Sequence, residues 1–470
     1  MLASKILNTS IARFGYPLTN CQKELINLLS SFAIDPSQQV LIVRGYAGTG
    51  KTSLVSTYIN TIEELGIRTV LLAPTGRAAK VISQQSRRPA FTIHKKIYRQ
   101  KKNSDGFGAF ELGFNTHRNT IFVIDEASMI SAQSGDSILF GSAGLLSDLL
   151  KFVFNDRNCR LIIMGDSAQL PPVGHAESPA LQITYYQQLN YRVQSIELTT
   201  VVRQQKSSGI LYNATNLRTI LYQDTPTLPK IDVKNFPDVT CINGTELIDS
   251  ITSSYEKAGI EETIIITRSN KLANRYNEGI RARIMWREED LEKGDLLMIV
   301  KNNYYWCSNN ETIDFIANGD IMEIKKRGKS KIIYDFEFTD LDVSFPYYDN
   351  AEITVRVIKE SLKSEGASLS QTQNKELYSK IQEDFKDLPT KKQQYLAMRE
   401  NPYLNALQIK YAYAVTCHKA QGGQWKHVYI DQGFFDKDAI TKEYLQWLYT
   451  ALTRATEHVF LVNFPESMIN

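Results

Sequence analysis

Val40-Leu41-Ile42-Val43-Arg44-Gly45-Tyr46-Ala47-Gly48-Thr49-Gly50-Lys51-Thr52 begins as an apolar run and ends in the pattern G-x-x-x-x-G-K-[ST]. The run reads as a buried strand, and the glycine-rich stretch as a loop that cradles phosphate. Gly45, Gly48 and Gly50 let successive backbone N–H groups around Thr49 turn onto phosphate oxygens. The helix expected to start near Lys51 and run through Ser53 to Asn60 points its positive dipole end at the same charge. In this arrangement Lys51 reaches the β- and γ-phosphates of a nucleotide and the Thr52 hydroxyl holds Mg²⁺.

Two further runs end in polar tips. Ile121-Phe122-Val123-Ile124 delivers Asp125 and Glu126 at a strand's C-terminal end, where open α/β sheets place ligands. Asp125 would orient Mg²⁺ through its waters, and Glu126 would polarise the water that attacks the γ-phosphate. Leu161-Ile162-Ile163-Met164 leads to Gly165-Asp166-Ser167-Ala168-Gln169-Leu170-Pro171-Pro172. The Gln169 amide suits contact with a γ-phosphate oxygen or the attacking water, and the two prolines stiffen the turn. Together with Thr69 to Ala73, these runs predict a parallel sheet covered on both faces by helices, filling residues 1–185.

A chain of 470 residues exceeds one hydrophobic core and predicts roughly two to four domains. A second set of strands is expected at Ile196 to Leu198, Thr263 to Thr267, Tyr411 to Val415, Val428 to Ile430 and Val459 to Val462. They give a second α/β domain over 186–285 and 403–470. Residues 286–402 change character: Gly294 to Val300 and Asn318 to Ile324 are short strands with turn signals, predicting a small inserted β-barrel. Tyr304-Tyr305-Trp306 is assigned to its core, and Lys359 to Glu400 is mixed-charge and helix-prone. A basic and aromatic hairpin is expected near 95–118, with Lys95, Lys96, Arg99, Lys101 and Lys102 ahead of Phe107, Phe110 and Phe114.

Hydrophobic content of 43% and charged content of 22% are those of an ordinary globular protein. A net charge of +3 is too small to attract a polyanion over the whole surface, so a nucleic-acid partner needs a local track of charge. Cys21, Cys159, Cys241, Cys307 and Cys417 are scattered and form no C-x-x-C, the usage of a reduced compartment with neither disulfide framework nor zinc site. No apolar run approaches the roughly 20 residues that span a bilayer, and the N-terminus lacks a secretion signal's apolar region. A cytoplasmic protein without a membrane partner is expected.

The ordered motifs resemble those of superfamily 1B helicases, the RecD-like and Dda-like DNA helicases, over most of the chain. Gln22, in Leu18-Thr19-Asn20-Cys21-Gln22, matches the glutamine that reads the adenine edge in that family. Ala73-Pro74-Thr75-Gly76-Arg77-Ala78-Ala79 is similar to its first single-strand contact motif, and Thr92-Ile93-His94 to the next. Thr199-Thr200-Val201-Val202-Arg203-Gln204 resembles the segment with one arginine finger, and Tyr449-Thr450-Ala451-Leu452-Thr453-Arg454-Ala455 the segment with the other. Tyr413-Ala414-Val415-Thr416-Cys417-His418-Lys419-Ala420-Gln421-Gly422 is similar to a motif touching both DNA and nucleotide.

The resemblance implies two RecA-like parallel-sheet domains, a strand-separating pin at the hairpin of the first, and an SH3-like barrel with a helical extension inserted in the second. It implies ATP and Mg²⁺ as cofactors, and single-stranded DNA and single-strand/duplex junctions as partners. Arg203 and Arg454 would act as fingers, Gly422 would lie against nucleotide, and Pro74, Thr75, His94, Thr416 and His418 would contact DNA. Movement would be 5′-to-3′ by a monomer, since both α/β domains needed for one ATP site are in this chain.

Some assignments stay open at this level. His94 and His418 suit helix packing or capping as well as DNA, and Phe107 or Phe110 would either stack on the last base pair or pack the hairpin on its own domain. The phosphate contacts do not depend on a 2′-hydroxyl, which leaves an RNA translocase. An ATPase switch without unwinding is the other class. A nuclease is disfavoured, because no carboxylate cluster with metal-ligand spacing stands apart from the ATP site.

Overall fold

The computed structural model describes residues 2–103, 106–132, 144–155, 157–202, 208–303, 305–307, 313, 316–434 and 440–470, with 100–103 and 106–110 described by backbone alone. Among these, the N-terminal strands are β1 (Val40–Gly45), β2 (Arg68–Ala73), β3 (Ala90–Thr92), β4 (Tyr98–Asn103), β5 (Gly106–Leu112), β6 (Thr120–Ile124), β7 (Arg160–Gly165) and β8 (Val193–Leu198). Six form a parallel sheet in the order β3-β2-β6-β7-β1-β8. Successive side chains of a strand face opposite ways, and helices cover both faces of this sheet, so its central strands are apolar at every position. Val40, Ile42, Phe122, Ile124, Leu161 and Ile163 join one core, while Leu41, Val43, Ile121, Val123, Ile162 and Met164 join the other.

Two assignments in this half are corrected. Ile196–Leu198, expected in the second domain, lies in β8, which pairs with β1 at the edge of the first sheet. Apolar content marks a strand but does not say which sheet it joins; here the Arg192 carbonyl accepts from Val40 N–H at 3.0 Å and fixes the partner. The hairpin is narrower than 95–118. It is β4 paired with β5, and Lys95 and Lys96 sit instead on the helix Ile93–Ile97, whose N-terminus Thr92 caps. Phe114 lies beyond the hairpin on a loop, with the Arg157 guanidinium 4.5 Å from its ring centre.

The remaining strands are β9 (Val239–Ile242), β10 (Thr263–Thr267), β11 (Leu296–Ile299), β12 (Ile321–Ile333), β13 (Phe336–Phe345), β14 (Ala351–Ile358), β15 (Leu407–Tyr411), β16 (Ala414–Thr416), β17 (Trp425–Asp431) and β18 (Ala455–Val462). A second parallel sheet runs β16-β10-β17-β18-β9, and β11 to β15 close into a barrel. Tyr411, expected in the second sheet, ends barrel strand β15; the chain crosses from barrel to sheet within Ala412 and Tyr413. Two α/β sheets with an inserted barrel are therefore the architecture. Trp306 supports the barrel as expected, its indole N–H donating to the Asn405 carbonyl at 2.8 Å, whereas Tyr304 lies outside the described residues. Helices Gln371–Glu383 and Lys391–Arg399 pack Leu377, Ile381 and Met398 onto Phe336, Phe338 and Ile358, so the extension is seated on β13 and β14.

Barrel and second sheet share one continuous core, and a buried polar knot ties them. Asp295, fully buried ahead of β11, accepts from Arg281 of the helix Asn270–Arg283 at 3.0 and 3.1 Å, from the Tyr413 hydroxyl at 2.9 Å, and from Arg287. Removing one partner of such a knot strands the others without water. Asp295→Ala is expected to cost about 3 kcal/mol or more, read as a thermal midpoint roughly 3–5 °C lower. An unchanged midpoint would show the knot to be idle.

Candidate nucleotide cleft and nucleic-acid face

β1, β6 and β7 all end on the same rim of the first sheet. After β1 the chain enters the glycine loop. Gly48 has φ +76, and a Cβ there would meet Leu211 and Val201 at 3.0 Å, so only glycine lets the loop pass this close to the segment after β8. The Gly48 carbonyl in turn accepts from Val202 N–H at 2.9 Å. The helix Lys51–Glu64 then starts, with Leu54, Val55, Tyr58, Ile59 and Ile62 buried beneath it. Lys51 Nζ rests on the Gly45 carbonyl at 3.0 Å, and the Thr52 hydroxyl donates to Asp125 Oδ2 at 3.0 Å.

Gln22 is fully buried. Its amide N–H donates to the Thr49 carbonyl at 2.9 Å while its oxygen accepts from Thr19 N–H at 3.0 Å, so it braces the loop as well as lining the cleft. Thr49 is likewise spent on structure, donating its hydroxyl to the Tyr46 carbonyl at 2.8 Å.

Asp125 ends β6 and Glu126 follows in the left-handed region at φ +53, held there by its N–H donating to Asp125 Oδ1 at 2.8 Å. Such backbone costs about 1–3 kcal/mol in a non-glycine residue and turns the Glu126 side chain into the cleft. Burial, and then the neighbouring Glu126, push the Asp125 carboxyl above the ordinary range, with Lys51 opposing. A hydroxyl and two carboxylates are the all-oxygen donor set that hard divalent ions take, so Thr52, Asp125 and Glu126 fit Mg²⁺. Gln169, after β7, is buried, and its carbonyl oxygen has no hydrogen-bond partner among the described residues.

The opposite wall comes from the second sheet. The cleft, about 890 Å³, is lined by Lys51, Thr52, Ser53, Glu126 and Gln169 on one side and by Thr453, Arg454 and Ala455 on the other. Arg454 is buried, its guanidinium donating to the carbonyls of Thr450 and Gly423 at 3.1 and 3.2 Å and to the Thr453 hydroxyl at 3.3 Å. Arg203 lies outside the described residues. Gly422 is not among the residues lining the cleft and abuts the first-sheet side, where a Cβ would meet Thr75 Oγ1 at 3.1 Å and Ala78 Cβ at 3.2 Å.

Of the expected DNA contacts, Pro74, Thr75 and His94 follow the ends of β2 and β3 at one edge of the first sheet, and Thr416 and His418 follow the end of β16 at one edge of the second. Thr75 caps the helix Gly76–Ser86 through Ala78 N–H at 3.2 Å, directly after Pro74. Thr416 starts the short helix that carries His418. Burial pushes the His94 imidazole down to about 4, so it is neutral at pH 7, and its ring lies 5.7 Å from Tyr98. His418 is shifted down for the same reason. The side chains of Phe107 and Phe110 lie outside the described residues; their backbones pair with Lys102 and Gln100.

Residues without an assigned role in the sequence complete this face. Arg77 lies 3.8 Å from the Trp425 ring centre and 5.4 Å from that of Tyr347, and donates to the Gln424 carbonyl, joining first sheet, second sheet and barrel. Lys80 Nζ donates to the barrel carbonyl of Pro346 at 3.2 Å. Gly76 has no room for a side chain: a Cβ would lie 2.9 Å from both Asp320 Oδ1 and the Tyr348 hydroxyl. Only the presence of Arg77 within a quoted motif hinted at this joint.

Comparisons with known proteins fall on the same regions. Residues 18–219 match a family model described as an AAA domain, and 411–462 match the UvrD-like helicase C-terminal domain. The ATP-dependent RecD2 DNA helicase of Deinococcus radiodurans is 22% identical over 90% of this chain and 46% of its own length. The ATP-dependent DNA helicase dda of Enterobacteria phage T4 is 26% identical over 60% of this chain and 61% of its own. The chain thus spans less than two thirds of either. A Pif1 helicase from Bacteroides, solved with ADP-AlF3 and single-stranded DNA, superposes with TM-score 0.46 at 16% identity over 97% of this chain and 95% of that one. Among the described residues no helix is long and apolar enough to cross a membrane.

The barrel side of the joint titrates. Asp320 accepts from Ala317 N–H at 2.7 Å and from the Tyr348 hydroxyl at 3.0 Å, yet burial lifts its carboxyl to about 7. The folded state therefore binds this proton more tightly than the unfolded state, whose carboxyl titrates near its ordinary value of 3.8. Stability from this group is lost as pH rises from about 4 to about 7. Asp320→Asn is expected to raise the thermal midpoint relative to the parent more at pH 8 than at pH 4. Parallel midpoint profiles for the two proteins would contradict the assignment.

Proposed function

We propose that this chain, which belongs to the superfamily 1B helicases, is an ATP-driven DNA helicase that moves 5′-to-3′ along a single strand and opens the duplex ahead of it. One observation carries the reading: a single nucleotide cleft has Lys51, Thr52 and Glu126 on one parallel sheet and Arg454 on the other. Phosphoryl transfer is catalysed by positioning and charge neutralisation, and an arginine brought to the γ-phosphate contributes about 10³- to 10⁵-fold. Because Arg454 sits on the second sheet, hydrolysis is tied to how the two sheets close on ATP. Closing and opening then become a stepping cycle for whatever strand both sheets hold.

Each residue has one task in that cycle. Lys51 leaves the Gly45 carbonyl for the phosphates, and Glu126 orients the attacking water. Thr52 and Asp125 hold Mg²⁺, which when bound neutralises charge between the phosphates. Gln169 uses its unpartnered oxygen on the water or reports the γ-phosphate. Arg203 and Arg454 are the fingers. Thr75, Thr416 and backbone N–H groups suit phosphate contacts that bind any sequence and release. The first sheet through β8 is one motor unit, β9, β10 and β16 to β18 the other, with barrel and helices inserted into the second. A monomer suffices, since both walls come from one chain, and polarity is taken from the family likeness.

The test is steady-state ATPase with single-stranded DNA or RNA of equal length, and displacement of a labelled strand from duplexes with a 5′ or a 3′ tail. DNA-stimulated hydrolysis with displacement from the 5′ tail alone is expected, and Lys51→Ala is expected to lose two orders of magnitude or more in kcat while keeping its thermal midpoint. Displacement from the 3′ tail, stimulation by RNA only, or normal turnover by Lys51→Ala would each overturn a part of the reading.

A further inference from the structure

The walls of the cleft are joined through one phenol oxygen. The Tyr449 hydroxyl, on the helix Lys442–Leu452 of the second sheet, donates to Asp166 Oδ2 at 2.7 Å and accepts from Ala47 N–H at 3.0 Å. Ala47 is in the glycine loop, and Asp166 begins the turn that follows β7. Tyr449 and Asp166 are 1% and 2% exposed, so water does not replace these bonds. Burial raises both groups above their ordinary ranges, which keeps the phenol protonated as the donor. Asp166 Oδ1 accepts from Ala168 N–H at 2.9 Å, shaping the turn that presents Gln169.

The next residue of the helix holds the other end of that turn. Thr450 Oγ1 accepts from Leu170 N–H at 2.9 Å, and Gln421 Nε2 donates to the Leu170 carbonyl at 2.6 Å. Gln169 is therefore clamped on both sides by groups set from the second sheet. One turn further on, Arg454 Nε donates to the carbonyl of the same Thr450. A displacement of this helix cannot move Arg454 without straining the bonds to Ala47, Asp166 and Leu170.

We infer that Tyr449 is a positioning residue for ATP hydrolysis, coupling the phosphate loop and the Gln169 turn to the helix whose C-terminal end leads into Arg454. The inference rests on the function proposed above. Tyr449→Phe deletes both bonds while keeping the ring. Thr450→Val removes the Leu170 link, together with the hydroxyl's bond to the Gln446 carbonyl within its own helix, at nearly constant volume, so it tests the coupling even where the phenylalanine variant fails to fold. At saturating DNA, Tyr449→Phe is expected to lower kcat about 10-fold or more, with KM for ATP and affinity for a non-hydrolysable ATP analogue within about threefold of the parent. Thr450→Val is expected to show the same split, smaller in size. Parental kcat in both variants, or kcat, KM and thermal midpoint falling together, would overturn the coupling. A parent protein without DNA-stimulated ATPase would instead overturn the proposed function, so the two failures are told apart by the parent alone.

Discussion

Parallel strands deliver their C-terminal ends to one rim, and the chemistry assembled here depends on that constraint. β1 supplies the phosphate loop, β6 the two carboxylates and β7 the Asp166 turn, all at the same edge of the first sheet. Continuous apolar runs make this possible, because helices on both faces leave each central strand no wet side. The second sheet faces that rim with the starts of its strands: Gln424 just before β17, and Arg454, Ala455 and Thr456 at the start of β18, line the cleft. The cleft between them mixes charged groups such as Lys51 and Glu126 with apolar walls such as Ile210 and Leu211, while the surfaces behind it are dry core.

A cleft with walls on two sheets works only when their relative placement is controlled, and three joints do this. Tyr449 and Thr450 join the walls at the nucleotide. Arg77 stacks on Trp425 and reaches Tyr347 on the nucleic-acid side, a contact of the kind that contributes about 0.5–2 kcal/mol. Asp295 welds barrel to second sheet, so the barrel contacts at Gly76 and Lys80 report the second sheet's position to the first. The cleft and the face around Thr75 and Arg77 are thus linked by short chains of buried bonds.

Local chemistry was legible in the residues; long-range pairing was not. The loop at Lys51, the acids at 125 and 126 and the strand cores follow from spacing and periodicity, which are local. Which sheet β8 joins, and where β15 leaves the barrel for β16, depend on hydrogen-bond partners far along the chain. Tyr449 and Asp166 are 283 residues apart, and both stood inside recognised segments where only Gln169 and Arg454 carried a role. The contact of Gly422 with Thr75 was not legible for the same reason: a glycine in a motif signals close approach without naming what approaches.

The central claim is that Arg454 crosses the cleft to the γ-phosphate when the sheets close. A structure with ADP, aluminium fluoride, Mg²⁺ and single-stranded DNA tests it directly. The account predicts the Arg454 guanidinium released from the Gly423 carbonyl and about 3 Å from a fluoride, with Lys51 released from Gly45 onto the phosphates. Arg454 still bound to Gly423 and Thr453, with the transition-state mimic held by the first sheet alone, would contradict it.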